Sequence, residues 1–524
     1  MNKQYISKPI FWAFFFVAWL FFSCNVDTDK ENSNETIDTL PEISKTDSLL
    51  TANKIEVIIP TFLGNEKRNY YGNEAPSKLE LIWKIKLGTG TTRVGSKLKK
   101  WSGAGWTGQP LIIKQDSVLY LIQGAYDHHL KKINAETGKI VWQYEFDDVI
   151  KGTGTFMVNP NADTITNRYL ILQGSRKGNG KSLSSKVVPS YRAVSFISGK
   201  DVWQYNSKRM DSYSRDVDAS ALIIEDTAYI GLENGLFTIF DPDPAKAKML
   251  DGIKQPKVLF QDTMYEKKDK IRHRGNLVTE SSPSKLKNRV YVSSGSGHVY
   301  GYNMHTKKLD WNFFTGADMD GSPVVTNDNR LLVSLEKEYI DGKGGVFKLD
   351  PARPADSSVV WYFPVKDKFF VFWHGGIIGS VSVNDKYKAE LDSFEHTKEL
   401  PFATNKIPNI SAFVAIDEYL YVINTNKLAK GLKVWGPNKK KKYPKPKLIF
   451  KYKTGPSIST PIIVQNKIIA ATYNGVYLFE HDKKMRFKLL AHYTATGTIE
   501  STPVVHNKRI YVASRDGFLY CFGE

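Results

Sequence analysis

The alternation of apolar and polar positions is clearest in the last stretch of the chain, Thr498 to Glu524. Turn residues separate three short apolar runs there, Thr502 to Val505, Arg509 to Ala513 and Phe518 to Phe522. Asp516-Gly517, between the last two runs, is a dipeptide that supplies the positive backbone angles of a tight hairpin turn. The pattern predicts that the chain ends on three antiparallel strands.

Related stretches begin at Ser281 and Ser459, and self-similarity at a period of roughly 40 to 60 residues indicates a propeller or a solenoid. A tryptophan marks the expected fourth strand of five repeats: Trp83, Trp142, Trp203, Trp311 and Trp361. The gap from Trp203 to Trp311 is close to two repeats, so one repeat is expected to lack its tryptophan, near Phe260. The repeats predict an all-β, eight-bladed β-propeller, with seven blades as the alternative count.

The C-terminal triplet of strands lacks a fourth strand, whereas residues 79–87, around Trp83, have no partner strands nearby. An open ring would leave two sheet edges unpaired. We therefore predict that residues 79–87 complete the last blade. Five prolines precede predicted first strands, an edge position that tolerates proline; they are Pro110, Pro283, Pro323, Pro461 and Pro503.

Composition divides the chain before this array into three segments. Residues 1–23 hold an apolar run from Ile10 to Phe22, which is shorter than the roughly 20 residues of a bilayer span and predicts a signal peptide. Ser23-Cys24 resembles the lipobox of bacterial lipoproteins, so Cys24 is the expected lipidation site. Residues 24–53 predict an acidic flexible tether, residues 54–78 an approach segment and residues 79–524 the propeller.

The net charge of +19 favours acidic partners, such as lipid head groups, acidic polysaccharide or nucleic acid. The lysines are spread along the chain, which is typical of a solvated surface, and the one true run is Lys439 to Lys442, in a sequence that predicts a projecting loop. With Cys24 assigned to lipid and Cys521 inside a predicted strand, the two cysteines offer no disulfide framework.

Residues 133–145, INAETGKIVWQYE, resemble the tryptophan-docking motif of the PQQ-like propeller repeat, with Gly138 and Trp142 at the characteristic spacing. The resemblance implies that each such tryptophan packs between neighbouring blades. The family has two branches: quinoprotein dehydrogenases, which hold pyrroloquinoline quinone and calcium on the axis, and non-catalytic propellers such as the lipoprotein of the outer-membrane barrel-assembly machinery. Many of the dehydrogenases have a pair of adjacent cysteines. This chain has no such pair, which favours the second branch.

Alignment of the first strands places four acids at one equivalent position: Asp218, Glu280, Asp320 and Glu500. Carboxylates in this register would face one mouth of the channel, where they could hold a cation or a basic group of a ligand. The alternative is that they are solvated acids at the turns that enter the inner strands. Asp318, in DMDG, resembles the start of a calcium loop but lacks the later ligands.

Trp101 and Trp106 lie in a glycine-rich approach to the first inner strand. Flat aromatic rings near the channel mouth could stack on a quinone or a sugar, and packing within the loop is the alternative interpretation.

These observations predict a lipid-anchored, non-catalytic propeller that acts as a binding or protein-interaction scaffold at the outer membrane of a Gram-negative bacterium, on the periplasmic face or at the cell surface. The expected partners are the membrane and envelope proteins or acidic polysaccharide, not nucleic acid. A monomer without a cofactor is expected. Two alternatives stay open: a dehydrogenase that uses PQQ and calcium, and a carbohydrate-binding or carbohydrate-active propeller.

Overall fold

The computed structural model describes residues 54–106, 108–388 and 407–524. In these ranges the protein is an eight-bladed β-propeller, as the repeats predict, and each blade is an antiparallel sheet whose strands follow one another from the channel to the rim. The predicted signal peptide, Cys24 and the acidic tether lie outside the described residues.

The strands are given for each blade from the inside outward. Blades 1 and 2 contain Leu111–Gln115, Val118–Gly124, His129–Asn134 and Ile140–Glu145, then Thr155–Val158, Tyr169–Gly174, Tyr191–Ser195 and Asp201–Tyr205. Blades 3 and 4 contain Leu222–Ile224, Thr227–Gly231, Leu236–Asp241 and Lys257–Thr263, then Ser284–Leu286, Arg289–Ser293, His298–Asn303 and Leu309–Phe314. Blades 5 and 6 contain Val324–Val325, Leu331–Leu335, Gly345–Leu349 and Val359–Pro364, then Ser382–Val383, Ile410–Val414, Tyr419–Trp435 and Lys442–Lys453. Blades 7 and 8 contain Ile462–Val464, Lys467–Thr472, Gly475–His481 and Phe487–Tyr493, then Val504–His506, Arg509–Ala513, Phe518–Gly523 and, from the N-terminal side, Glu80–Lys86.

Strand Glu80–Lys86 closes the ring because it pairs antiparallel with the last strand of the chain, Phe518–Gly523. The pairing runs from Glu80 opposite Gly523 to Lys86 opposite Phe518. The predicted closure by an N-terminal strand is confirmed.

Short elements are added to the regular blades. Ile55–Ile59 pairs with the inner strand of blade 1, which makes that sheet five-stranded. Two small hairpins project, Thr89–Val94 with Lys97–Ser102 and Lys248–Leu250 with Ile253–Gln255. Short helices of one or two turns include Ile165–Arg168, Pro244–Lys246, Lys267–Arg272 and Ala355–Ser357. Within the described ranges, no helix has the length and apolar character needed to cross a membrane.

The tryptophans of five fourth strands connect their blades to the next blade through their indole nitrogens. Each Nε1 donates to a backbone carbonyl of the following blade: Trp83 to Ala135 (3.2 Å), Trp142 to Phe196 (3.1 Å), Trp203 to Pro242 (2.8 Å), Trp311 to Arg353 (3.1 Å) and Trp361 to Thr425 (2.9 Å). Phe260 takes this position in blade 3, beside the β-bulge where Trp142 and Trp311 also lie. Trp83 is in the last blade and Ala135 in the first, so the same contact spans the closure.

The glycine of the repeat motif is required where a tryptophan lies above it. Gly138 has a φ of +74°, and a Cβ there would be 3.2 Å from the Trp83 ring; at Gly199 a Cβ would be 2.8 Å from the Trp142 ring. Lys307 holds the equivalent position in blade 4, also with positive φ. The blade before it has Phe260 instead of a tryptophan, so a larger side chain is tolerated.

Residues 60–72 enter the channel from the end of the inner strands and fill it. The Arg68 side chain, fully buried, donates to the carbonyls of Phe62 (2.8 Å) and of Pro283 in blade 4 (2.8 Å). The N–H of Val505, in blade 8, donates to the Tyr71 carbonyl at 3.1 Å. The approach segment of the sequence analysis is thus a plug that contacts inner strands on opposite sides of the ring.

A ring of hydroxyls lies on the inner strands above the plug. The backbone N–H of one member donates to the hydroxyl of the next, in the order Ser220, Ser282, Ser322, Ser380, Thr460 and Thr502, at 2.9 to 3.4 Å. Small polar residues therefore recur at this position because each one satisfies a backbone donor of its neighbour.

Trp83→Ala is expected to lower the free energy of unfolding by about 2–4 kcal/mol, because it removes both the indole packing and a hydrogen bond across the closure. Urea unfolding of the two purified proteins measures the difference. Trp435→Ala is the matched control, since that side chain is 52% exposed, and it should cost less than about 1 kcal/mol. Equal losses in the two variants would contradict a docking role for Trp83.

Candidate functional site

Three loops at the mouth of the channel opposite the plug entrance carry acids at one position of consecutive blades. Asp218, Glu280 and Asp320 each lie two residues before a serine of the hydroxyl ring, and they line one small cavity that Phe62 also lines. The cavity volume is about 10 Å³, which is space for one water-sized particle. The structure brings together three of the four acids that the sequence register placed in line.

Glu500, the fourth acid of that register, lies outside this cavity. Its carboxylate pairs with the Arg515 guanidinium at 2.9 Å and accepts a hydrogen bond from the Tyr473 hydroxyl at 3.0 Å. A carboxylate that already pairs with a guanidinium and a hydroxyl has few lone pairs left for a ligand. Of the four acids predicted to face the channel mouth, three line the cavity in this structure and Glu500 does not.

Asp218, Glu233 and Glu280 form the first acidic group, with an oxygen of each within 4.8 Å of the others. Lys151 projects between them from blade 2; its ammonium contacts Asp218 and lies 3.4 Å from Glu280 Oε1. The indole N–H of Trp106 donates to the other oxygen of Glu280. The Ser214 hydroxyl donates to Glu233 at 2.6 Å, so one cation, one indole and one hydroxyl serve three carboxylates.

Asp318, Asp320 and Glu336 form the second acidic group, again with an oxygen of each within 4.8 Å. Asp320 and Glu336 share a hydrogen bond, and the Asn276 amide donates to Asp318 at 2.5 Å. No ion pair joins these three carboxylates to a lysine or arginine within 4 Å in the described ranges. A proton or a bound cation is the means left for balancing their charge.

Burial, and then neighbouring carboxylates, raise the pKa values of five acids of the two groups. The pKa of Asp218 and that of Asp318 are each raised to about 7, and those of Glu233, Asp320 and Glu336 are raised well above the ordinary range. Burial alone would lower the pKa of the Lys151 ammonium, but Asp218 and Glu280 raise it well above its usual value. Full ionisation of the cluster would leave buried negative charge that one lysine does not balance, which is why the acids retain protons unless a cation binds.

Several buried oxygens in this region accept no hydrogen bond from any described residue. They include Oε1 of Glu233, Oδ1 of Asp218, Oδ1 of Asp318 and Oδ1 of Asn276. Hard divalent cations such as calcium take six to eight oxygen ligands from carboxylates and amides. The donor set of the second group, with Asn276 beside it, fits such a cation.

Sequence reasoning missed Lys151, Glu233 and Glu336. Lys151 occupies the register of the predicted acids, two residues before Thr153, but a search for carboxylates passes over it. Glu233 and Glu336 follow the second strands of blades 3 and 5, at the end of the sheet where the first strands begin. A second register, drawn just after each second strand, could have found both.

The two candidate stacking residues already have ring contacts within the protein. The ring centroids of Trp101 and Tyr126 are 5.2 Å apart. The guanidinium carbons of Arg176 and Arg515 lie 5.7 and 5.4 Å from the Trp101 ring centroid. Trp106 lies 6.0 Å from the Trp373 ring and 4.9 Å from the Lys151 ammonium. These contacts favour the packing interpretation, and stacking on a ligand stays a prediction.

No family model matches the chain, and no curated protein does. Solved structures match in fold. BamB from Moraxella catarrhalis is 12% identical over 85% of this chain and 100% of its own (TM-score 0.49), and the computationally designed Ika8 protein is 10% identical over 84% and 99% (TM-score 0.47). Quinohemoprotein alcohol dehydrogenase from Comamonas testosteroni is 12% identical over 92% and 82% (TM-score 0.52). At these identities the likeness shows the propeller fold alone and does not choose between the two branches.

Pyrroloquinoline quinone fits the described mouth poorly. The quinone is a flat tricarboxylate, whereas the cavity on the axis has a volume of about 10 Å³ and is lined by Asp218, Glu280 and Asp320. Carboxylates would repel an anionic cofactor. The residues therefore fit a cation and do not fit the quinone.

The free energy of unfolding is expected to fall as the pH rises from about 4 to about 7, by a few kcal/mol. The cluster acids have folded-state pKa values above their unfolded values, so the folded protein holds more protons across this range. The double variant Asp320→Asn/Glu336→Gln should flatten this dependence, because both amides mimic the protonated acids. Urea unfolding near pH 5 and pH 7.5 measures the effect, with the exposed Glu136→Gln as control. An identical pH dependence in the double variant and the control would contradict the assignment.

Proposed function

We propose that this protein is a lipid-anchored, non-catalytic propeller of the Gram-negative outer membrane that binds other envelope proteins. The observation that carries the proposal is the filled channel. Residues 60–72 occupy it from one side, and the cavity left at the other mouth has room for one water-sized particle. A quinoprotein dehydrogenase would hold its cofactor on the axis, so the filled channel supports a function on the outer surfaces instead.

The face around the acidic mouth offers a contact for a protein partner. The loop of residues 366–376, between blades 5 and 6, exposes three apolar side chains, Phe369 (65%), Val371 (59%) and Phe372 (58%). Neighbouring exposed apolar residues of this kind mark protein interaction sites. We propose that this apolar tip contacts the partner.

Two contacts hold the loop that carries the tip. Lys368 pairs with Glu418 at 2.5 Å, and Phe370 packs edge-on against Tyr473, with 4.8 Å between ring centroids. Val371 has a φ of +58°, a conformation that costs a β-branched residue free energy. A rigid tip loses little conformational entropy on binding, which favours a docking role.

We propose in addition that the acidic cluster holds a divalent cation of the calcium type. A cation on Asp318, Asp320 and Glu336 would link the loop between blades 4 and 5 to the turn of blade 5. The cation would thereby stiffen the face that carries the apolar tip.

The docking role predicts that Phe369→Ser/Phe372→Ser lowers the amount of envelope protein that co-purifies with the full chain from solubilised outer membranes, by about tenfold or more. The control is Leu98→Ser/Met249→Ser, two equally exposed apolar residues on the small hairpins, which should leave the amount unchanged. Thermal unfolding should be similar in both variants. Unchanged co-purification in the phenylalanine variant would contradict the docking role.

The cation site predicts that calcium raises the midpoint of thermal unfolding near pH 7.5, because a ligand that binds the folded state stabilises it. Asp320→Asn/Glu336→Gln should remove most of this rise. Added pyrroloquinoline quinone is expected to give neither a bound quinone absorbance nor dye reduction with alcohols. Dye reduction that depends on quinone and calcium would establish the dehydrogenase alternative and overturn the non-catalytic assignment.

A further inference from the structure

The third and fourth strands of blade 6, Tyr419–Trp435 and Lys442–Lys453, form the longest hairpin of the described residues. Its outer part packs against blade 5, where the Tyr443 and Phe347 rings meet edge to face with 5.6 Å between their centroids. Its tip is anchored, since the N–H of Gly342 donates to the Pro437 carbonyl at 2.7 Å and the Asn438 amide donates to the Thr315 carbonyl at 3.1 Å. The hairpin is therefore a fixed part of the rim.

The hairpin is strongly basic. Residues 419–453 contain 11 lysines and no aspartate or glutamate. In the described part of the chain, Lys453 is the hairpin lysine with an acidic partner, Glu418 at 3.4 Å. Most of these ammonium groups are exposed, including the run from Lys439 to Lys442. Such a density of unpaired positive charge favours a polyanionic surface.

Exposed apolar side chains accompany the lysines. Leu428, Leu432, Trp435 and Leu448 are between 41% and 52% exposed. Alternation along the strand turns Val434 towards blade 5 and Trp435 outward, and the Lys442 ammonium lies 4.7 Å from the Trp435 ring on the outer side. The exposed side chains of the hairpin thus include lysines, leucines and a tryptophan.

We infer that residues 419–453 form a contact for an anionic lipid surface. This contact does not require that Cys24 carries a lipid. Lysines near a membrane are attracted to anionic head groups, tryptophan prefers the interface, and leucines gain by entering the acyl boundary. A soluble polysaccharide would use the ammonium groups but gain nothing from Leu428 and Leu432. The combination of charge and apolar side chains favours lipid.

The test uses the full chain with Cys24→Ser, which removes the predicted lipidation site, and co-sedimentation with vesicles of phosphatidylcholine with or without phosphatidylglycerol. Binding is expected only with the vesicles that contain phosphatidylglycerol. It should weaken at least about tenfold when the salt concentration rises from about 0.05 to about 0.5 M. Replacing Lys439, Lys440, Lys441 and Lys442 with Gln should weaken it about tenfold or more, and Trp435→Ala about threefold or more.

The charge-matched control replaces Lys248, Lys254, Lys257 and Lys267, exposed residues of blade 3 and the loop after it, with Gln. Its vesicle binding should stay within about twofold of the parent, whereas an equal loss would show that net charge alone acts. Unchanged binding in Trp435→Ala, together with full competition by dextran sulfate, would identify a polysaccharide-type polyanion site and overturn the lipid assignment. Binding that does not depend on phosphatidylglycerol would also overturn it.

Discussion

The pairing of strand Glu80–Lys86 with Phe518–Gly523 is the constraint on which the rest of the structure depends. Each blade packs on its two neighbours, so an unclosed ring would leave one blade with three strands and another with a bare face. Closure between distant parts of the sequence makes the eight sheets one cooperative body. Backbone hydrogen bonds fix the register, and Trp83 adds a contact that reaches from the last blade to the first.

The fold could be predicted from the sequence because its signals are local and repeated. Alternation, turn dipeptides and the spacing of Trp83, Trp142 and Trp203 identify each blade without knowledge of its neighbours. The plug could not be predicted. Residues 60–72 have no strand pattern, and their contacts are hydrogen bonds of Arg68 and Tyr71 to strands of several blades, which depend on the assembled ring.

The site was partly predictable for the same reason. Asp218, Glu280 and Asp320 repeat at one position of the motif, so alignment of the blades places them together. Glu233 and Glu336 come from a different position, and the pairing of Glu500 with Arg515 depends on a residue in the following turn of the same blade. The raised pKa values of the cluster come from burial in the assembled ring, and no single repeat encodes that burial.

The way the plug enters the channel makes the two faces of the disc unequal. The described chain begins at Lys54, whose N–H donates to Asp116 at the end of the first strand of blade 1, far from the acids that precede the first strands. The described chain therefore begins on the plug side of the ring. The apolar tip and the acidic mouth lie at the other end of the inner strands, so a partner bound there and the N-terminal entry of the chain would not compete for the same face.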